Sequence, residues 1–177
     1  MAGNAAQQSA LQLICVNDDS RFIVDYAQNH RKDNCPFTFP DNCPFTPFHS
    51  PSLPFTPQNT YLYEPNAAIM KAGCFTDLSA RFSVAPLSSN SHLFVSPQPV
   101  ADFPGRGFQV AALSTMSKRD LKSTLGHLRQ ANITVRNFPL TVAELRRRLR
   151  LSEGGNDYIF ATTLADGSHV LLLCRKL

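Results

Sequence analysis

The chain has 177 residues, 43% of them hydrophobic and 17% charged, with a net charge of +4; this is the size of one or two domains with enough apolar content for a real core, and it excludes a fibre or a wholly unfolded chain. Its longest apolar runs, such as 170–174, fall far short of the roughly 20 residues of a membrane helix, and residues 1–10 have neither a basic start nor an apolar run, so a cytoplasmic protein without membrane contact is expected. The charge is divided unevenly: residues 1–105 carry five Lys/Arg against eight Asp/Glu, net −3, and residues 106–177 carry twelve against five, net +7.

Residues 11–16 (LQLICV) are a short apolar run before a polar turn, which predicts a strand, and 21–27 (RFIVDYA) fit either a short helix or a second strand. Between 30 and 57 lie seven of the thirteen prolines and two copies of DNCPFT, at 33–38 and 41–46. Proline at that density removes backbone donors, so an extended loop or insertion is expected. Tyr61-Leu62-Tyr63-Glu64-Pro65 reads as a strand closed by proline, with Asn66 capping a helix over 67–72 and Gly73 stopping it. A short helix at 76–82, a short strand at 92–95 and a turn at 102–105 follow.

From residue 108 the signals sharpen. Residues 108–113 (FQVAAL) predict a strand; Ser117 offers an N-cap with Asp120 at the third helical position, and Leu121, Leu125 and Leu128 share one helix face. Residues 132–136 (NITVR) alternate and are β-branched, a strand; Thr141-Val142-Ala143-Glu144 is a capping box flanked by the staple pair Leu140 and Leu145. The second helix is expected to run to about Leu151 and to end at Gly154-Gly155, burying Val142, Leu145 and Leu149. Residues 158–164 and 169–175 flank Asp166-Gly167, a hairpin signal. The order strand, helix, strand, helix, hairpin is an α+β arrangement with helices on a sheet.

Little of this carries chemistry. A doubly wound nucleotide-binding domain needs a glycine-rich turn between an early strand and a helix, and neither Gly105-Arg106-Gly107 nor Gly154-Gly155 is so placed. His30, Cys35, Cys43 and His49 are zinc-ligand types without the Cys-x-x-Cys knuckle that pre-positions two thiolates, so no metal is expected. The five cysteines are odd in number and scattered, which predicts free thiols in a reducing compartment, with Cys15 and Cys174 as small core residues. The basic half is the better match to a polyanion: Lys118, Arg119 and Lys122 at the start of the first helix, Arg136 at the end of the strand before Asn137-Phe138, and Arg146, Arg147 and Arg150 on the second helix are expected to line one face that neutralises phosphates. Without an aromatic platform, such a face reads backbone and shape rather than base sequence.

Taken in order, 61–73 (YLYEPNAAIMKAG), 90–93 (NSHL), 102–106 (DFPGR), 131–140 (ANITVRNFPL), 143–149 and 158–167 (YIFATTLADG) resemble the C-terminal part of bacterial class I SAM-dependent methyltransferases that carry a THUMP-like domain. The resemblance covers about residues 60–177. It implies a THUMP-like module at 108–177, a connecting region at 66–107, and at 1–65 a remnant of a Rossmann-type methyltransferase domain, its last strands at 11–27 and 61–64, interrupted by the proline-rich insertion at 30–57. By fold-level analogy the module binds or positions an RNA substrate. The family's SAM-binding glycine motif and Asp-Pro catalytic motif would lie upstream of Met1. Accordingly no catalytic or cofactor-binding residue is carried over, S-adenosylmethionine is expected for the full-length parent alone, and the partner is an upstream or separate catalytic domain. The alternative is a structural or dimerising appendage with no ligand.

Overall fold

The computed structural model describes residues 12–17, 20–25, 59–88 and 90–177. The proline-rich insertion, with Cys35, Cys43, His30 and His49, lies outside them.

Strands β1 (Gln12–Asn17) and β2 (Ser20–Asp25) form an antiparallel hairpin with Cys15 opposite Phe22 and Ile14 opposite Ile23, so 21–27 resolves as strand rather than helix over its described part. Alternation sorts the faces: Cys15, Phe22 and Val24 are buried, Ile14, Val16 and Ile23 exposed. Strand β3 (Tyr61–Pro65) leads into α1 (Ala67–Ala72), where the Asn66 side chain accepts from the Ile69 N–H at 3.0 Å and Gly73 closes the helix at φ 69°. Helix α2 (Phe75–Phe82) and the short strands β4 (Ala85–Pro86) and β5 (Phe94–Ser96) follow.

The basic half runs β6 (Gly105–Thr115), α3 (Lys118–Leu125), β7 (Asn132–Arg136), α4 (Val142–Leu149), β8 (Asp157–Thr163) and β9 (His169–Lys176). This is the strand, helix, strand, helix, hairpin order read from the sequence, in an α+β fold. Several boundaries differ, β6 the most among the strands, since it spans Gly105–Thr115 where 108–113 is expected. Leu128 lies beyond the end of α3 but still packs on the core, and α4 ends at Arg150, not at Gly154-Gly155. Arg150 takes a left-handed φ of 57° and its N–H reaches the carbonyls of Arg146 and Arg147, which turns the buried Leu151 back under the helix.

All strands but β1 and β2 form one sheet, ordered β4-β5-β3-β6-β9-β8-β7. Only β7 and β8 run parallel, joined through α4 as a crossover; every other neighbour is antiparallel. Alternate residues of β8 and β9 feed different cores. Ile159, Ala161, Leu171 and Leu173 face α3 and α4 with Leu125 and Leu145, while Phe160, Val170, Leu172 and Cys174 face the other way, onto Phe108, Leu62, Leu87 and Leu93. A register shift between Val110 and Ala112 keeps both sets in phase along β6. A third cluster, around Tyr63, Ile69, Leu78 and Phe94, seats α1, α2 and the β1–β2 hairpin.

The sheet closes on its helix-free face. The Ser88 hydroxyl, just past β4, donates to the Thr163 carbonyl at the end of β8 at 2.8 Å, although β4 and β8 stand first and sixth in the strand order. A twist of about 20–25° per strand, accumulated over that span, is what lets distant strand ends meet.

Candidate functional site

The same closure brings the ends of β3 and β7 together around Glu64. Glu64 and Arg106 are directly opposed in the β3–β6 ladder, and Arg136 arrives from the far edge strand. Arg106 donates from Nε (3.0 Å) and from Nη2 to Glu64 Oε2, and Arg136 donates from Nε (3.1 Å) and Nη2 (2.6 Å) to Oε1. Each carboxylate oxygen thus takes a side-on fork from one guanidinium. Glu64 is 4% exposed, the side chains of Arg106 and Arg136 49% and 34%. A buried carboxylate is costly unless paired and hydrogen-bonded, and here both conditions are met. Two cations face one anion, so the cluster carries a net charge of +1. The Arg106 guanidinium also lies over the Phe108 ring, 5.6 Å from its centroid.

These groups stand at the wall of an open cleft of about 810 Å³, whose apolar surface comes from Pro65, Ala67, Met70, Phe103 and Pro104, with Lys71 and Asp102 also lining it. The 102–106 segment is held from several directions. Asp102 takes a left-handed φ of 53°, the Gly105 N–H donates to the Phe103 carbonyl at 2.8 Å, and the Asn66 N–H donates to the Pro104 carbonyl at 3.0 Å. Gly105 is required because a Cβ there would stand 2.1 Å from the Glu64 carbonyl oxygen. Behind the cleft the Tyr63 hydroxyl accepts from the Val100 N–H at 2.7 Å and its ring lies 4.8 Å from that of Phe103; burial raises its phenol above the ordinary value.

The seven basic residues expected on one face divide between two. Lys118, Arg119 and Lys122 are exposed on α3, and Arg147 and Arg150 are exposed on and after α4, where Arg148 joins them. Both helices cover the same core, so these cations share the helical side. Arg146 belongs to the fold instead: its side chain is 21% exposed, donates to the Ala131 carbonyl at 3.3 Å and lies 3.8 Å from Glu153. Arg136 is on the opposite face. Ile133 and Val135 pack toward the helices, and strand alternation sends Arg136 the other way, onto Glu64. Sequence reading passed over Glu64, Arg106 and Lys71. Glu64 and Arg106 lie in the YLYEPN and DFPGR motifs, but nothing local says that they meet.

The helix starts are built as their capping signals predict. The Ser117 hydroxyl accepts from the Asp120 N–H at 3.1 Å, and the Thr115 hydroxyl donates to the Asp120 carboxylate, which holds that carboxyl below its usual range together with Ser117. At α4 the Thr141 N–H donates to Glu144 at 2.7 Å and the Thr141 hydroxyl at 2.8 Å, and both hold the Glu144 carboxyl low. Cys15, Cys74 and Cys174 are buried free thiols; the sulfurs of Cys15 and Cys74 are 3.8 Å apart, and burial above all pushes Cys74 up to about 12. No group of three or more His, Cys, Asp or Glu among the described residues is placed to hold a metal. No described helix is long and apolar enough to cross a membrane.

Two family models match adjoining stretches: residues 61–104 match a ferredoxin-like domain and residues 105–176 a THUMP domain-like family. The second begins where β6 begins. No curated protein matches the chain. Among solved structures it is similar to a Porphyromonas gingivalis W83 protein assigned as a methyltransferase, with 31% identity and a TM-score of 0.72 over 93% of this chain and 38% of that one. The chain therefore carries a THUMP-like module beside a ferredoxin-like region, and spans well under half the length of that methyltransferase-assigned relative.

Proposed function

We propose that this chain is the part of a class I SAM-dependent RNA methyltransferase that binds and positions the RNA, in the cytoplasm, beside a catalytic domain that holds the methyl donor. The observation that carries this reading is a coincidence of boundaries: the THUMP-like match over 105–176 falls on the half of the chain with net charge +7 and contains the exposed cations of α3 and α4. Similarity to a methyltransferase-assigned protein over 93% of this chain supports the enzymatic context.

Lys118, Arg119, Lys122, Arg147 and Arg150 would neutralise phosphates and release their counterions, giving an affinity that falls with salt and reads helix shape. In this reading the methyl donor is held outside this chain. The single parallel pair, β7–β8, is connected through Asn137-Phe138-Pro139-Leu140 and α4 rather than by a glycine-rich turn, so methyl transfer is assigned to the catalytic domain.

The test is fluorescence anisotropy of the 177-residue chain with tRNA and rRNA fragments at two salt concentrations. The double variant Arg147→Ala/Arg150→Ala is expected to weaken binding to every fragment and to reduce the salt slope by about 2. Absence of binding at low salt, or identical titrations for wild type and variant, would rule the reading out. A structural appendage is favoured by one feature, the exposed apolar face of Ile14, Val16 and Ile23 on the β1–β2 hairpin, and it predicts no RNA affinity at all.

A further inference from the structure

We propose that the cleft at Glu64, Arg106 and Arg136 is a nucleotide site, with the phosphate on the two guanidiniums and the base against the apolar wall. The site lies on the face of the sheet opposite α3 and α4, so it is separate from the basic helical surface. The inference rests on the RNA reading only for the source of the nucleotide.

The first support is the asymmetry of exposure within the ion cluster. The carboxylate is 4% exposed while its partners are 49% and 34% exposed. Glu64 is therefore an anchor that fixes two guanidiniums at the mouth of a cleft. Each arginine uses its Nε and Nη2 on Glu64, and no described residue partners either Nη1. Planar donors held in a fixed geometry are the groups that recognise phosphate by paired hydrogen bonds. The charge agrees: Arg106, Arg136 and Lys71 against Glu64 and Asp102 leave the cleft lining at +1.

The second support is the rest of the wall. Ala67, Met70 and Phe103 present apolar surface beside the cations, with the buried Pro65 and Pro104 behind them, and a cleft of about 810 Å³ falls within the roughly 300–1,000 Å³ typical of small-ligand sites. A bare anion would leave that surface unused. A nucleotide offers both an anionic end and a flat apolar body.

The test is calorimetric titration of the 177-residue chain with AMP, adenosine and inorganic phosphate. AMP is expected to bind at least about tenfold more tightly than adenosine, since adenosine lacks the charged hydrogen bonds, and more tightly than phosphate. Arg106→Ala and Arg136→Ala are each expected to lower AMP affinity at least about fivefold, and the exposed Lys71→Ala about twofold, with circular dichroism confirming that each variant is folded. If an arginine variant does not fold, Lys71→Ala and the AMP-to-adenosine ratio decide. Single-stranded RNA that displaces AMP makes the site a seat for a nucleotide of the RNA chain, whereas RNA that binds without displacing AMP makes it a free-nucleotide site. No AMP binding, equal binding of AMP and adenosine, or AMP affinity indifferent to the arginine and lysine changes overturns the proposal, even where RNA still binds the helical face.

Discussion

Replacing Glu64 by Gln keeps the shape of the side chain and removes the charge on which the ends of β3, β6 and β7 converge. Four hydrogen bonds from charged donors then end on a neutral amide, one side of which is itself a donor facing a guanidinium. The two bonds that then face the amide NH2 are lost, and at about 1.5–3 kcal/mol for each bond between charged groups this suggests a loss of about 4 kcal/mol. Both arginines are more than a third exposed or nearly so and regain water, which reduces the expected loss to about 2 kcal/mol. The chain has no tryptophan, so urea unfolding is followed by far-UV circular dichroism. With a slope of about 1–3 kcal/mol per molar, the midpoint falls by about 1 M. A double-mutant cycle with Arg136→Met is expected to show a coupling of at least about 1 kcal/mol, because the two sites act as one cluster. A midpoint unchanged within error and a coupling near zero would refute the claim that Glu64 is a buried anchor, reducing the cluster to an ordinary surface pair.

Gly105→Ala places a Cβ 2.1 Å from the Glu64 carbonyl, so the start of β6 must move away from β3; a loss of about 2 kcal/mol or more in the same urea assay is expected, against a few tenths for an unstrained exposed site. Thr141→Ala removes the α4 cap at a cost of about 1 kcal/mol. It also changes the pH dependence: the Glu144 carboxyl is held below its unfolded value by the Thr141 N–H and then by its hydroxyl, so its contribution is present above the ordinary carboxylate pKa and is lost as pH falls through the depressed one. Thermal melts from neutral to acid pH are expected to show a shallower acid limb in the variant, and an identical limb would contradict the assignment.

The elements of the basic half were legible because each carries its own punctuation: the Thr141 to Glu144 capping box, the Asn66 and Ser117 caps and the Asp166-Gly167 turn all act within a few residues. The end of α4 was misread because a glycine pair is the stronger helix-stop signal on paper, while the stop in fact falls on Arg150, an arginine in a left-handed conformation. Strand β4 has two residues and exists only through its pairing to β5, which no local pattern announces. The site was harder still. Charge alone singles out Arg136, but its placement on the opposite face follows from the parity of β7, and its partner Glu64 is 72 residues away. A long-range carboxylate shared by two arginines leaves no mark in composition or spacing.

Strand β6 has a consequence for any attempt to dissect this protein. Its eleven residues pair with β3 along one side and β9 along the other, so the border between the two family matches at 104 and 105 is a sequence boundary and no seam. A fragment starting at 105 would bare the β3 side of its longest strand, uncover Phe108 on the side of Leu62, and strand Arg106 and Arg136 without their shared counter-ion. Such an edge invites self-association. The smallest unit that keeps every ladder of the seven-stranded sheet intact begins before Tyr61, with the ferredoxin-like region covering the β3 side of the THUMP-like module's longest strand.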